Sequence, residues 1–369
     1  MMHRYTFILG ALLCSAFGAA PAIEQTDVFV SGQDGYHTYR IPAIIRAANG
    51  DLLAFCEGRK SAGGDSGNID ILLKRSTDGG RQWNVQQVVW DDAENTCGNP
   101  CPVLDVSTGT LWLLLTHNLG SDHEKQIAAR TAKGTRTVWV ANSTDHGATW
   151  TKPVEITSTT KDPSWTWYAT GPGVGIQIKS GPQAGRLVIP CDHNYDDAGL
   201  KKHVSGSHAI YSDDHGKTWT LGGTIRPIVN ECQVVELADG RGTLLMNMRS
   251  NSGRKVRAQA TSVDGGATWT APVDAQPLIE PVCQASILRH ESGALLFSNP
   301  AAITRVNLTV RASADDGKVW RDVAVLHAGP SAYSCLVSLG ATEAGCFYER
   351  GEKRPYEKIT FARFAVGGR

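Results

Sequence analysis

The sequence predicts an all-β protein, and three observations lead to that fold class. One eight-residue pattern occurs five times, short apolar runs separate its copies, and no long stretch has the periodicity of an amphipathic helix. With 41% hydrophobic and only 20% charged residues, the chain has enough apolar side chains to form a core. Lys+Arg and Asp+Glu both number 36, so no net charge favours nucleic acid or an anionic membrane as a partner.

The repeated pattern is Ser-x-Asp-x-Gly-x-x-Trp, an Asp box. Ser and Asp side chains can bond backbone amides across a turn, Gly supplies a positive φ, and Trp folds back as an apolar group. We therefore expect each box to close a β-hairpin. Five copies of one motif indicate structure rather than catalysis. The boxes occupy residues 76–83, 143–150, 212–219, 262–269 and 313–320.

The spacing of the boxes predicts the architecture. Their aspartates lie 67, 69, 50 and 51 residues apart, about 59 on average. Residues 23–369 would hold nearly six such units of about four short strands each, which predicts a six-bladed β-propeller over that whole range. We expect the extended segments 39–43 and 358–362 to close the last blade together. No change of composition indicates a second domain.

The first 22 residues differ from the rest of the chain. His3 and Arg4 precede an apolar run, residues 5–17, which ends in small residues up to Ala22. This pattern predicts a signal peptide cleaved after Ala20 or Ala22, and hence a secreted or periplasmic protein, or a lysosomal one in a eukaryote. No later segment is apolar for long enough to span a bilayer.

Eight cysteines follow the predicted signal peptide, and an even number in an exported chain permits disulfides. Cys97 and Cys101 are the best local candidates for one. Several others lie in apolar, strand-like runs, where buried thiols are the alternative. No second pair of cysteines has the spacing of a zinc site.

Motifs outside the boxes resemble those of the exo-α-sialidase (neuraminidase) family. They occur in order along residues 28–365, and their number makes the resemblance specific. The motifs are Tyr39-Arg-Ile-Pro42, Glu57-Gly-Arg59, Asn99-Pro-Cys-Pro102, Glu231-Cys-Gln233, Met248-Arg-Ser250, Ser331-Ala-Tyr-Ser334 and Tyr348-Glu349.

The resemblance implies a site for the carboxylate of sialic acid. A carboxylate on the anomeric carbon needs fixed cations with a forked geometry, which arginine offers and lysine does not. By resemblance, Arg40, Arg249 and Arg311 form this arginine triad, with Arg305 as the alternative to Arg311. Glu349 is expected to neutralise and orient Arg40.

The resemblance also implies the catalytic groups. An anionic nucleophile would be repelled by the substrate carboxylate, whereas a neutral phenol can approach and then lose its proton. Tyr333 matches the family's nucleophile and Glu231 the base that takes its proton. Asp65, in a glycine-rich loop, matches the acid/base that protonates the leaving oxygen and later activates water.

The remaining assignments concern the sugar pocket. Arg59 and Asn99 match pocket-lining positions, and further candidates are Asp192, His193 and the aromatic run 165–168. The expected function is release of terminal sialic acid from sialylated glycans, without a cofactor or metal. A trans-sialidase, an intramolecular trans-sialidase and a non-catalytic sialic-acid-binding propeller are the alternatives; the last predicts loss of a catalytic group, and all three are present.

Overall fold

The computed structural model describes residues 23–367, and nearly all of the regular structure in that range is β-strand. The predicted signal peptide, residues 1–22, lies outside the described residues. The two helices are short, α1 Glu124–Ala128 and α2 Thr157–Thr160, and neither has the length or the apolar character needed to cross a membrane. The strands are β1 Glu24–Val30, β2 Thr38–Arg46, β3 Leu52–Arg59, β4 Ile69–Ser76, β5 Gln87–Trp90, β6 Thr96–Leu104, β7 Leu111–Asn118, β8 Thr137–Ser143, β9 Val154–Glu155, β10 Tyr168–Thr170, β11 Ile176–Gln177, β12 Leu187–Asp197, β13 Lys202–Ser212, β14 Thr220–Ile225, β15 Val229–Glu236, β16 Leu244–Ser250, β17 Val256–Ser262, β18 Val273–Ile279, β19 Ser286–Arg289, β20 Leu295–Pro300, β21 Val306–Ser313, β22 Arg321–Ser338, β23 Glu343–Arg350 and β24 Lys358–Ala365.

The strands pair with their neighbours in four sheets. Almost all of these pairs are antiparallel and join strands that follow each other in the chain, as short turns between successive strands require. The strand orders are β2-β3-β4-β6-β7-β8-β9 with β5 on β4, β10-β12-β13-β14 with β11 on β12, β15-β16-β17-β18, and β1-β24-β23-β22-β21-β20-β19.

The innermost strands contact one another in a closed ring. β2 contacts β6, β6 contacts β10 and β12, β12 contacts β15, β15 contacts β19, β19 contacts β22, and β22 returns to β2. A ring of twisted antiparallel sheets around one axis is a β-propeller, so the predicted fold is confirmed. The number of blades, six, stays a prediction. The strands do not divide into six separate sheets, because hydrogen bonding continues along the 18-residue β22 and from β4 to β6.

The two ends of the described chain meet in one sheet. β1 pairs with β24, from Glu24 opposite Arg363 to Val30 opposite Lys358. The predicted closure by residues 39–43 is therefore wrong. Those residues lie in β2, which pairs with β3 and belongs to the inner ring.

All five Asp boxes form the hairpin turns that the sequence predicts. In each box the glycine N–H donates to the serine Oγ at 2.8 Å, and the aspartate Oδ1 accepts an N–H from four residues further along at 2.9 Å. The glycine at the fifth position of the box has a φ between 80° and 90° in every copy. The tryptophans connect strands far apart in sequence: the Trp83 ring lies 5.4 Å from Phe361, and Trp150 lies 5.6 Å from Phe55.

The eight cysteines among residues 23–367 are free and buried. The alternative of buried thiols is therefore confirmed, and the candidate pair Cys97 and Cys101 forms no disulfide because both residues lie in β6. Their partners on β7, His117 and Leu114, are three residues apart, which places the two cysteines roughly 10 Å apart along the strand. A disulfide does not span more than about 7 Å between Cα atoms.

Candidate active site

A polar cavity of about 430 Å³ lies at the end of the ring where the inner strands begin. In an antiparallel pair, the start of one strand adjoins the end of the next, so residues distant in sequence meet there; Thr38 opposite Arg59 is one example. Seven of the nine predicted site residues line this cavity, namely Arg40, Arg59, Asp65, Asn99, Glu231, Arg249 and Tyr333.

Irregularities in the inner strands aim these side chains into the cavity. The strand register shifts between Arg40 and Ala43 in β2, and comparable shifts enclose Asn99, Glu231 and Tyr333 in β6, β15 and β22. A β-bulge turns a side chain away from the regular alternation, and bulges are common next to active sites. The backbone at Asn99 has φ 52°, a left-handed conformation that asparagine tolerates better than most residues.

Tyr333, Glu231 and Arg249 form one hydrogen-bonded group. The Tyr333 hydroxyl donates to Glu231 Oε1, while Arg249 Nη1 donates to Glu231 Oε2 at 2.6 Å and to the Tyr333 oxygen at 3.3 Å. Burial, and then the Glu231 carboxylate, raises the pKa of Tyr333 well above its ordinary value. The phenol is therefore protonated at rest, and the adjacent carboxylate is placed to accept its proton.

Glu349 lies beneath the cavity and fixes two of its residues. Its fully buried carboxylate accepts hydrogen bonds from Arg40 Nε at 2.8 Å and from the Tyr333 backbone N–H at 3.1 Å. Burial lowers the pKa of Arg40, but the charge of Glu349 and the hydrogen bond to it, together with the neighbouring Tyr333 and Tyr356, outweigh burial and hold that pKa well above its ordinary value. The predicted contact between Glu349 and Arg40 is thus present.

Asp65 reaches the cavity from an exposed loop between β3 and β4. Its Oδ1 lies 2.8 Å from Arg59 Nη2 and 3.9 Å from Arg40 Nη1, and 64% of its side chain is exposed. Partial burial raises the pKa of Asp65, but the charges of Arg59 and Arg40 lower it by more, so the net shift is downward. Without substrate the carboxyl group is therefore ionised at neutral pH.

The opposite side of the cavity holds residues that the sequence motifs do not identify. Arg136 Nη2 donates to Asn99 Oδ1 at 2.5 Å, and its guanidinium lies 4.2 Å from the centre of the Trp167 ring. Arg136 is buried just before β8 and belongs to no recognisable motif, so only the fold brings it to Asn99. Trp167, from the aromatic run 165–168, also lines the cavity.

Two carboxylic acids near this side titrate abnormally. Burial, followed by the charges of Glu231 and Glu124, raises the pKa of Asp192 well above its ordinary value, and burial and the Asp65 charge raise that of Glu124. Asp192 and Glu124 line the cavity. His193 instead packs in the interior against Trp165, with 3.6 Å between the ring centres.

The structure does not bring Arg311 to the cavity. Its Nε donates to the exposed carboxylate of Asp322 at 3.0 Å, in the outer strands β21 and β22. Arg305, immediately before β21, lines the cavity and donates to the Tyr356 hydroxyl at 2.5 Å. Arg305, the alternative that the sequence left open, thus lies in the cavity with Arg40 and Arg249, whereas Arg311 lies further along β21 and outside the cavity.

The sequence of this chain is similar to a family model and to known sialidases. A family model described as a BNR repeat-like domain matches residues 50–346. The chain is 35% identical over 370 residues to the sialidase of Micromonospora viridifaciens, covering 94% of this chain and 55% of that protein. It is 32% identical over 348 residues to a sialidase of Bacteroides fragilis, covering 86% of this chain and 61% of that protein. This chain thus spans little more than half the length of these two relatives.

Solved structures match over almost the whole described chain. The Hadza microbial sialidase Hz136 superposes with a TM-score of 0.81 at 32% identity, covering 93% of this chain and 68% of that one. The leech intramolecular trans-sialidase, complexed with 2,7-anhydro-Neu5Ac, superposes with a TM-score of 0.78 at 18% identity, covering 93% and 70%. At 18% identity the second likeness concerns the fold alone.

Proposed function

Because this chain belongs to the sialidase family of BNR-repeat proteins, we propose that it is an exo-α-sialidase that releases terminal sialic acid from sialylated glycans with retention of configuration. We further propose residues 23–369 as the catalytic propeller and residues 1–22 as a signal peptide that directs export.

The observation that carries the proposal is the hydrogen-bonded group of Tyr333, Glu231 and Arg249 inside a cavity that Arg40 and Arg305 also line. Arg40 and Arg249 each pair with a glutamate, whereas no carboxylate of residues 23–367 lies within ion-pair distance of Arg305. Arg305 therefore keeps an unpaired positive charge at the cavity wall. An anionic sugar would supply the missing negative charge.

In the first step, the Tyr333 oxygen attacks the anomeric carbon and its proton passes to Glu231. The bond between that carbon and the leaving oxygen breaks, and Asp65 protonates this oxygen. Asp65 needs a proton for this role. The bound carboxylate would offset the charge of Arg40 and exclude water, and both effects raise the pKa of Asp65 toward the acid form.

In the second step, Asp65 takes a proton from water, whose oxygen attacks the anomeric carbon. The bond to the Tyr333 oxygen breaks, and Glu231 returns the proton to the phenolate. Each step inverts the anomeric centre, so the product keeps the configuration of the substrate. No charge builds up on the nucleophile before attack, which suits a substrate that is already an anion.

We propose that the other side of the cavity holds the uncharged groups of the sugar. Asp192, neutral because of its raised pKa, can donate a hydrogen bond, and its Oδ2 has no partner among the described residues. Arg136, held by Asn99, offers further N–H donors beside the apolar face of Trp167.

The test is product analysis by proton NMR on a mixture of 3′- and 6′-sialyllactose. We expect free sialic acid to appear first as its α-anomer and then to mutarotate. The β-anomer first would exclude retention. A 2,7-anhydro product would identify an intramolecular trans-sialidase, transfer to added lactose would identify a trans-sialidase, and binding without turnover would identify a sialic-acid-binding propeller.

A further inference from the structure

We propose that Tyr356 is a positioning residue that holds Arg40 and Arg305 in place for the substrate carboxylate, a role that rests on the proposed sialidase function. Tyr356 is half-buried and lines the cavity from the loop between β23 and β24. It belongs to none of the motifs that carry the sequence resemblance.

Tyr356 contacts Arg305 through its hydroxyl group. Arg305 Nη1 donates to this oxygen at 2.5 Å, and Arg305 Nη2 donates to the backbone carbonyl of Val282 at 3.3 Å. Both acceptors are neutral. Within residues 23–367, Arg305 is thus oriented by hydrogen bonds without being neutralised by a carboxylate.

Tyr356 contacts Arg40 through its ring. The Arg40 guanidinium carbon lies 4.0 Å from the centre of the Tyr356 ring, closer than the 4.9 Å that separates it from the Tyr333 ring. A guanidinium at this distance is attracted by the face of the ring, and the attraction grows when water is excluded. One side chain therefore constrains two cations that come from opposite ends of the sequence.

The neutral phenol explains how two like charges are held without loss of affinity for an anion. A carboxylate at position 356 would also hold Arg305, but it would cancel the positive charge that the substrate needs. Tyrosine supplies an acceptor for one arginine and a π-face for the other and adds no charge. This combination orients the guanidiniums and leaves their charge to the substrate.

The loop that carries Tyr356 is itself anchored. The Tyr356 carbonyl accepts a hydrogen bond from Ser31 Oγ at 2.8 Å, and the Ser31 N–H donates to the Glu357 carbonyl at 3.0 Å. The Glu357 carboxylate accepts three backbone N–H groups of the same loop, those of residues 352 to 354, at 3.0 to 3.1 Å. The ring position is therefore fixed by the backbone as well as by the arginines.

The experiment compares Tyr356→Phe and Tyr356→Leu with the wild type on 4-methylumbelliferyl N-acetylneuraminic acid. Phe removes the hydrogen bond to Arg305 and keeps the ring under Arg40, so we expect KM to rise about 10-fold with kcat within about twofold. Leu removes both contacts, so we expect KM to rise about 100-fold. The inhibition constant of free N-acetylneuraminic acid should rise by the same factors.

The chain offers a matched control in Tyr195. Its ring lies 3.8 Å from the Arg226 guanidinium carbon and its hydroxyl donates to Asp197 at 2.9 Å, but it does not line the cavity. Tyr195→Phe likewise removes a tyrosine hydroxyl hydrogen bond and keeps a ring against an arginine, but outside the cavity, so KM and the inhibition constant should stay within about twofold of the wild type.

Unchanged KM and inhibition constants in both Tyr356 variants of an active enzyme would overturn the proposal. So would variants that lose kcat and thermal stability with KM unaffected, because that pattern indicates a merely structural role. A wild-type protein that releases no sialic acid would contradict the proposed function instead. In that case, calorimetric titration of the wild type and the Tyr356 variants with N-acetylneuraminic acid tests the role of Tyr356, because both variants should still bind this ligand more weakly than the wild type.

Discussion

Replacing Arg305 and Arg311 separately by alanine tests the placement of the third arginine. Arg305 lines the cavity, and Arg311 pairs with Asp322, whose side chain is 69% exposed, outside it. A bidentate contact between Arg305 and the substrate carboxylate contains two charged hydrogen bonds of about 1.5–3 kcal/mol each. Allowing for partial additivity, Arg305→Ala should cost about 3–5 kcal/mol of transition-state stabilisation, or about 10²- to 10⁴-fold in kcat/KM.

Arg311→Ala breaks an ion pair whose carboxylate is exposed, which typically contributes about 0–1 kcal/mol to folding, and it also removes the packing of a side chain that is only 15% exposed. Because Arg311 lies outside the cavity, we expect kcat/KM within about twofold of the wild type, with any loss confined to the free energy of unfolding. The assay measures kcat/KM on 3′-sialyllactose, with urea unfolding of each variant to show that it is folded. Loss of activity in a folded Arg311→Ala protein, with Arg305→Ala near wild type, would refute the reasoning.

Two further predictions concern the acid and the Asp boxes. Asp65→Ala should largely spare kcat on aryl sialosides, whose leaving oxygen needs little protonation, while sialyllactose loses far more; equal losses in the two assays would remove Asp65 from the acid role. The hydroxyl and then the N–H of Thr149 lower the pKa of Asp145 from 3.8 to about 2, so the stability from its ionised form is present above about pH 4 and lost as the pH falls toward 2. The difference in urea midpoint between wild type and Asp145→Ala should therefore shrink as the pH falls from about 4 to about 2. The kcat of the folded variant should be unchanged at neutral pH. A difference that stays constant with pH would show that the Asp145 charge does not stabilise the turn.

The sequence predicts best those features that arise from local contacts. The five boxes could be identified because each turn is held by its own side chains, such as Ser143 and Asp145 around Gly147. Their spacing then indicates sheets arranged in a ring. The cavity residues Arg40 and Tyr333 could be found because they lie in motifs that a family resemblance identifies.

Features that depend on strand register and on closure of the ring could not be predicted in the same way. Arg305 and Arg311 are only six residues apart, and the point at which β21 begins decides which one faces the cavity. Arg136 and Tyr356 have no motif, since their partners lie 37 and 51 residues away in the chain. Cys97 and Cys101 have a spacing that permits a disulfide in a loop, but not in the strand that they share.

The protonation state of cavity residues such as Asp192 also depends on the fold and could not be predicted from the sequence. Asp192 follows an apolar run and is a sequence candidate for the sugar pocket, but nothing in the sequence indicates an altered pKa. Its burial beside Glu231 and Glu124 raises its pKa well above the ordinary value, which favours the neutral, hydrogen-bond-donating form. The packing of β12 against β15 brings Asp192 and Glu231 together, and Glu124 reaches the same cavity from α1.

Covalent labelling with a 2,3-difluoro sialic acid tests the proposed mechanism most directly. Fluorine at C3 destabilises the positively charged transition state and slows breakdown of the covalent intermediate, so the adduct should persist long enough for peptide mapping. We expect the sugar on Tyr333, no labelling of Tyr333→Phe, and slower labelling of Glu231→Gln because the phenol then lacks its base. Label on Glu231 or Asp65, together with normal turnover by Tyr333→Phe, would contradict a tyrosine nucleophile.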